Sequence, residues 1–168
     1  MNAKQYSILL VDDEPDILEF MEYNLKKENY TVNKASNGKE AIQKAVQLKP
    51  DLIILDIMMP EMDGIETCRS LREMPEFKNT LIAFLTARNE DYSQIAGFDV
   101  GADDYITKPI KPRVLISRIN ALLRRVNLAM DTVAPPTTKV TQIGELQIDR
   151  DQYIITVAGQ KIILPRKE

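Results

Sequence analysis

The chain has 168 residues, with 44% hydrophobic and 28% charged side chains and a formal net charge of −3. That is room for one good domain plus a fragment, of ordinary globular composition, and the mildly acidic balance excludes a broad basic field that would advertise a nucleic-acid or membrane surface. With one cysteine, Cys68, and no histidine, an intrachain disulfide, a His-ligated metal and a His general base are all excluded. The opening run MNAKQYSILLVDDEP meets acids too soon for a signal peptide. No apolar stretch nears the ~18 residues of a membrane span, so a cytoplasmic setting without membrane contact is expected.

Along the chain, short apolar runs alternate with segments of helical period. SILLV (7–11) reads as the first strand, and Ile17, Leu18, Met21 and Leu25 follow at helical spacing. YTVNKA (30–35) is the second strand, and Asn37-Gly38 opens a helix carrying Ala41, Ile42, Ala45 and Val46. DLIILD (51–56) is the third, ahead of Ile65, Cys68 and Leu71 on a third helix. TLIAFLT (80–86) precedes a weakly periodic fourth helical segment, Asp91–Val100, and DYITK (104–108) precedes a fifth, Pro112–Arg125. That last segment begins with a helix-compatible proline and ends in arginines suited to a helix C-terminus.

Five βα repeats imply an α/β fold: a doubly wound, five-stranded parallel sheet with helices on both faces. The pattern stops near Arg125, giving a domain over 1–125. A linker over 126–140 contains Pro135-Pro136, which holds the chain extended. Residues 141–168 change character: GELQID, YIITV and KIIL predict a short antiparallel β-meander. Too few residues are present there to bury a separate core.

LIILDIMMPEMDG (52–64) runs apolar into a single acid, Asp56, and then turns. Ligands in such folds sit outside the carboxyl ends of the strands, although an acid at a strand end also serves as a turn starter or cap. VDDEP puts Asp12 and Asp13 at the carboxyl end of the first strand, which neighbours the third across the switch point. Three convergent carboxylates repel and raise one another's pKa unless a cation neutralises them. A hard, oxygen-seeking cation such as Mg²⁺ suits them. Thr86 closes the fourth strand with a hydroxyl, and Lys108 closes the fifth with a cation for carboxylate or phosphate. Lys108-Pro109 is a candidate cis bond.

VDDEP, LIILDIMMPEMDG, FLTA and GADDYITKP together resemble the receiver domain of two-component response regulators, over roughly residues 5–125. The resemblance implies a flavodoxin-like strand order 2-1-3-4-5, with Asp56 as phosphoacceptor. It implies Asp13 as a direct Mg²⁺ ligand, Asp12 acting mainly through water, and the Met58 backbone carbonyl completing the protein ligands. Thr86 and Lys108 would meet the phosphoryl oxygens, and Tyr105 would move with Thr86. A sensor histidine kinase is the implied donor. GADDYITKPIKPRVLISRINALLRR, followed by a linker and a meander, is similar to the OmpR/PhoB group, which adds a winged-helix DNA-binding domain. Residues 141–168 then match only the opening sheet of that domain, so DNA binding is expected of the intact protein alone. The same resemblance implies a homodimer through the fourth helix, fifth strand and fifth helix. Asp104 and Arg118 match one intersubunit ion pair of that face, whereas an arginine–glutamate pair common there falls on Gln94 and Val114 and is absent.

Three rival readings differ in class. A haloacid-dehalogenase-like phosphatase needs a second acid two residues after its nucleophile, where this chain has Met58. A flavodoxin-like nucleotide or flavin binder needs a Gly/Ser/Thr phosphate loop after the first strand, where this chain has DDEP. A non-phosphorylated interaction module would lack phosphorylation residues, and none is missing. The sequence therefore favours a regulatory switch over a turnover enzyme.

Overall fold

The computed structural model describes residues 4–87, 99–131, 140–143, 146–149, 154–157 and 160–163, with side chains as far as Leu128. The chain divides into two compact units, Met1–Asn127 and Leu128–Glu168.

In the first unit, strands β1 (Ser7–Val11), β2 (Thr31–Ala35), β3 (Leu52–Asp56), β4 (Leu81–Ala87) and β5 (Asp104–Lys108) form one sheet in the order β2-β1-β3-β4-β5. Every neighbouring pair is parallel. Strand alternation sends Ile8, Leu10, Leu52, Ile54, Leu85 and Ile106 to one face. There they meet Leu18, Met21 and Leu25 of α1 (Pro15–Lys27), with Leu115, Ile119 and Leu122 of α4 (Pro112–Asp131). Leu9, Val11, Ile53, Leu55, Ile82 and Phe84 face the other way, against Ala41 and Ala45 of α2 (Gly38–Leu48) and Cys68 and Leu71 of α3 (Gly64–Glu73). Both faces of β3 and β1 are therefore covered, which explains why LIIL and SILLV read as unbroken apolar runs. Helix α4 is the fifth helical segment of the sequence reading. Most of the fourth, residues 91–98, lies outside the described residues.

Helix starts follow their side chains. Asn37 caps α2 by accepting from the Glu40 backbone N–H, and Asp63 caps α3 by accepting from that of Glu66. Helix α1 starts instead on Pro15, after Glu14, with no side-chain cap. The edge strand β2 carries Lys34, whose ammonium pairs with Glu22 of α1 at 2.6 Å, and the Lys34 carbonyl accepts from the Lys44 ammonium.

At the amino edge of the sheet, Arg72 of α3 gathers several chain segments. Its guanidinium donates to the carbonyls of Thr80 (2.7 Å) and Gly101 (2.8 Å), to that of Phe77, and to Asp103 Oδ2 (3.1 Å). The same Asp103 oxygen accepts from the Ile82 N–H. Two tyrosines tie α4 to this edge: Tyr6 donates to Asn127 and Tyr30 to Asn120.

In the second unit, β6 (Val140–Ile143), β7 (Leu146–Asp149), β8 (Ile154–Val157) and β9 (Gln160–Ile163) pair antiparallel in sequence order. No helix among the described residues is long and apolar enough to cross a membrane.

Candidate functional site

The register of the sheet decides which side chains meet at its carboxyl edge. Val11 lies beside Leu55, Asp56 beside Leu85, Thr86 beside Thr107 and Ala87 beside Lys108. Asp12, one residue past β1, is anchored by its N–H to the Ala35 carbonyl of β2. One carboxylate oxygen from each of Asp12, Asp13 and Asp56 lies within 4.8 Å of the others. The convergence expected from the strand order is present.

The three acids are not equivalent. Asp12 is fully buried and Asp56 is 3% exposed, whereas Asp13 faces solvent. Asp12 Oδ1 accepts from the Glu14 N–H at 2.9 Å. The aspartates of VDDEP are thus not the cap of α1, and Asp56 is not the cap of α3, which is Asp63.

Lys108 supplies the cation within the cluster. Its ammonium lies 3.1 Å from Asp12 Oδ2, 3.5 Å from Asp56 Oδ1 and 3.7 Å from Glu14 Oε1. Apart from this ion pair with Lys108, the wholly buried Asp12 Oδ2 has no hydrogen-bond partner. The peptide bond from Lys108 to Pro109 is cis.

Electrostatics follow this crowding. Burial, reinforced by the Asp12 charge, raises the Asp56 pKa to about 6, against opposing pulls from Lys108 and the Met58 backbone. Burial also raises Asp12, partly offset by the Glu14 N–H and by Lys108. Burial alone would lower Lys108, but Asp56, Asp12 and Glu14 outweigh it and hold the ammonium above its ordinary value. One cation therefore serves several carboxylates, and the cluster carries excess negative charge.

Thr86 is buried at the end of β4, and its hydroxyl donates to the Ala87 carbonyl at 3.1 Å. Tyr105 is buried on β5, its ring 5.7 Å from that of Phe84 and tilted by 40°. The Met58 side chain is 66% exposed beside the cluster, in the loop after Asp56. Asp104 and Arg118 pair with each other inside the chain at 2.9 Å. Val114 is exposed; Gln94 lies outside the described residues.

Glu14, whose acidity the sequence places either at the site or at the start of the first helix, lies 3.7 Å from the Lys108 ammonium. One residue of the site carries a role that the sequence did not disclose. Gly64 closes the loop after β3: its N–H donates to the Ile57 carbonyl at 2.9 Å, and a Cβ there would fall 2.2 Å from the Asp56 carbonyl oxygen. The signal for Gly64 was an Asp-Gly pair at the start of a helix rather than at its end, where glycine is usual.

The donor set fits a small divalent cation. All the candidate ligands are hard oxygens, the cluster is net negative, and the buried Asp12 Oδ2 lacks a hydrogen bond.

Comparison with known proteins agrees with this geometry. The family model for the response regulator receiver domain matches residues 8–120. The chain is 43% identical over 167 residues to the transcriptional regulatory protein ResD of Bacillus subtilis, covering 99% of this chain and 68% of ResD. It is 40% identical over 171 residues to the alkaline phosphatase synthesis transcriptional regulatory protein PhoP of the same organism, covering 100% of this chain and 69% of PhoP. Among solved structures, the response regulator DrrB of Thermotoga maritima, an OmpR/PhoB homologue, superposes with a TM-score of 0.65 at 28% identity, over 96% of this chain and 68% of DrrB. The sheet order, the acid cluster and these matches converge: the chain belongs to the response regulator receiver domain family.

Proposed function

We propose that this protein is a two-component switch in which Asp56 accepts a phosphoryl group from the phosphohistidine of a sensor kinase. The observation that carries this reading is the convergence of the Asp12, Asp13 and Asp56 oxygens within 4.8 Å, with Lys108 Nζ 3.5 Å from Asp56. Asp56, with a pKa of about 6, is mostly ionised at neutral pH and so competent as a nucleophile. As its oxygen bonds to phosphorus, the donor P–N bond breaks and the imidazole leaves with the electron pair. Lys108 neutralises phosphoryl charge. The Thr86 hydroxyl turns from the Ala87 carbonyl towards a phosphoryl oxygen, and Tyr105 follows it.

Asp12, Asp13, Asp56 and the Met58 backbone carbonyl are the residues that would hold Mg²⁺, Asp12 mainly through water. Bound there, Mg²⁺ would offset the charge that the carboxylates and the phosphoryl group bring together. Met58 offers no polar group to orient an attacking water, so self-dephosphorylation is slow, and Met58→Asn should shorten the phosphoryl lifetime. The protein catalyses only its own phosphorylation and dephosphorylation.

Residues 1–125 act as the receiver, 126–140 as a linker and 141–168 as the opening sheet of a winged-helix domain of the OmpR/PhoB kind. The matches to ResD, PhoP and DrrB across nearly the whole chain support this arrangement. Phosphorylation would drive a symmetric dimer through the fourth helical segment, β5 and α4, and through it regulate DNA binding and transcription by the intact regulator in the cytoplasm. In the dimer, Asp104 and Arg118 would exchange their intrachain pair for two equivalent pairs across the axis.

Intact-mass spectrometry after incubation with acetyl phosphate tests the core of this reading. One phosphoryl adduct should form with Mg²⁺, far less with EDTA, and none in Asp56→Asn. An adduct persisting in that variant would exclude Asp56 as the acceptor.

A further inference from the structure

On the opposite side of α1 and α4 from the sheet, away from the acid cluster, a groove of about 520 Å³ runs between the end of α1 and the outer face of α4. Its volume lies within the range of small-ligand sites. Lys27, Arg113 and Arg124 line it, against one acid, Glu28. No described residue forms an ion pair with any of these three cations, whereas Lys26 and Lys34, close by in sequence and structure, are both paired to Glu22. In a chain of net charge −3, three cations without an ion-pair partner among the described residues line one concavity, Lys27 also lying over the Tyr23 ring at 4.7 Å, and they mark it for an anion.

The polar groups between the cations add a second requirement. Asn24 donates its side-chain amide to the Phe20 carbonyl at 2.8 Å, which fixes its orientation and leaves its Oδ1 as an acceptor. Asn120 accepts the Tyr30 hydroxyl through its Oδ1, which leaves its NH₂ as a donor. An oriented acceptor and an oriented donor thus line the same groove. Pro112 and Ile116 contribute apolar wall. Inorganic phosphate would satisfy the cations but neither the amides nor the apolar wall.

We propose that the α1–α4 groove binds a nucleotide: Lys27 and Arg124 take its phosphates, Asn24 and Asn120 read the donor–acceptor edge of its base, and Ile116 packs on the base face. Arginine and lysine form charge-assisted hydrogen bonds with phosphate, and each amide matches a base edge that carries both a donor and an acceptor. The site is independent of Asp56 chemistry and stands whether or not Asp56 is phosphorylated.

Calorimetric titration of the full chain with ATP, GTP and UTP in EDTA tests this, because without a divalent metal the acid cluster repels triphosphates. At least one nucleotide should bind with unit stoichiometry. Lys27→Ala/Arg124→Ala should weaken it by about tenfold or more, the scale of lost charge-assisted bonds. Arg124→Ala alone provides a second variant should the double one fail to fold. Arg69→Ala, an exposed cation on α3, should leave affinity unchanged. Asn120→Ala should weaken nucleotide binding while leaving pyrophosphate binding as it was. No binding by any of the three nucleotides at millimolar concentration would overturn the proposal. So would affinity indifferent to the groove variants, or pyrophosphate binding as tightly as the nucleotides, which would reduce the groove to a charge patch.

Discussion

The two edges of the parallel sheet each place one cation among buried polar groups, with opposite outcomes. At the amino edge, the Arg72 guanidinium spreads its donors over the carbonyls of Phe77, Thr80 and Gly101 and over Asp103, so its charge and hydrogen bonds are satisfied. At the carboxyl edge, Lys108 is shared among Asp12, Asp56 and Glu14, and Asp12 Oδ2 still lacks a hydrogen bond. The planar five-donor fork of arginine suits the first task, and the compact point charge of lysine suits the second. The amino edge resolves its electrostatics within the fold; the carboxyl edge leaves them open to an added cation and an added anion.

The largest expected effect lies on the resolved edge. Arg72→Ala should cost about 3 kcal/mol in urea unfolding, because it strands partly buried carbonyls and the Asp103 carboxylate together. Arg72→Lys should recover only a minority of that loss. If the alanine variant unfolds at the wild-type midpoint, the contrast between the edges fails at its firmer end.

Gly64→Ala should cost about 2 kcal/mol, within the usual range for overpacking, since the new Cβ would meet the Asp56 carbonyl and the Ile57 backbone. Phosphorylation by acetyl phosphate should slow at the same time, as the shift moves the acceptor. Loss of stability with an unchanged labelling rate would separate Gly64 from the site.

A smaller effect of opposite sign is expected at Asp56. Its pKa in the folded chain, about 6, lies above the ordinary 3.8. The folded state therefore binds more protons than the unfolded state between these values, and stability falls as pH rises through that window. In EDTA at neutral pH, Asp56→Asn should thus stabilise the protein by about 1–2 kcal/mol, after allowance for solvent screening. The gain should fade as pH falls and vanish below about pH 4. Thermal melts from acid to neutral pH check this, and a gain independent of pH would show that the carboxylate is not the cause. Mg²⁺ should stabilise the wild type, by about 1.4 kcal/mol at tenfold its Kd.

The smallest effect concerns the surface. Arg118→Glu breaks an exposed pair with Asp104 and should change monomer stability by less than about 1 kcal/mol. It should nonetheless weaken dimerisation of the phosphorylated chain in sedimentation experiments. Unchanged sedimentation would exclude this face as the interface.

Much of the sheet and its edge was legible because burial on both faces writes itself as apolar runs, and strand ends then mark where polar residues collect. The meeting of Asp12, Asp13 and Asp56 follows from that alternation in a doubly wound sheet, whereas the strand order 2-1-3-4-5 came from the resemblance to receiver domains. The inequality of Asp12 and Asp13 was not legible. Adjacent identical acids leave a strand on opposite sides, and only the packed neighbours decide that Asp12 is buried and Asp13 exposed. Arg72 was hidden for a different reason: its partners are mostly backbone carbonyls, which no residue pattern displays. Asp104 and Arg118, expected to pair across subunits, also lie side by side within one chain, on β5 and α4, a contact that the residue pattern did not display. The expectation resting on Gln94 lies outside the residues whose side chains are described.

Lys34 of β2 has a consequence for self-association. An unprotected outer strand offers unpaired amides and carbonyls on which another chain can template a further strand, the route to open-ended polymers. On β2 the Lys34 carbonyl is already taken by the Lys44 ammonium, and the Lys34 side chain is held by Glu22. A copy approaching that flank would have to break both contacts and bring its own Lys34 alongside. Growth by sheet extension is thereby disfavoured on the β2 side.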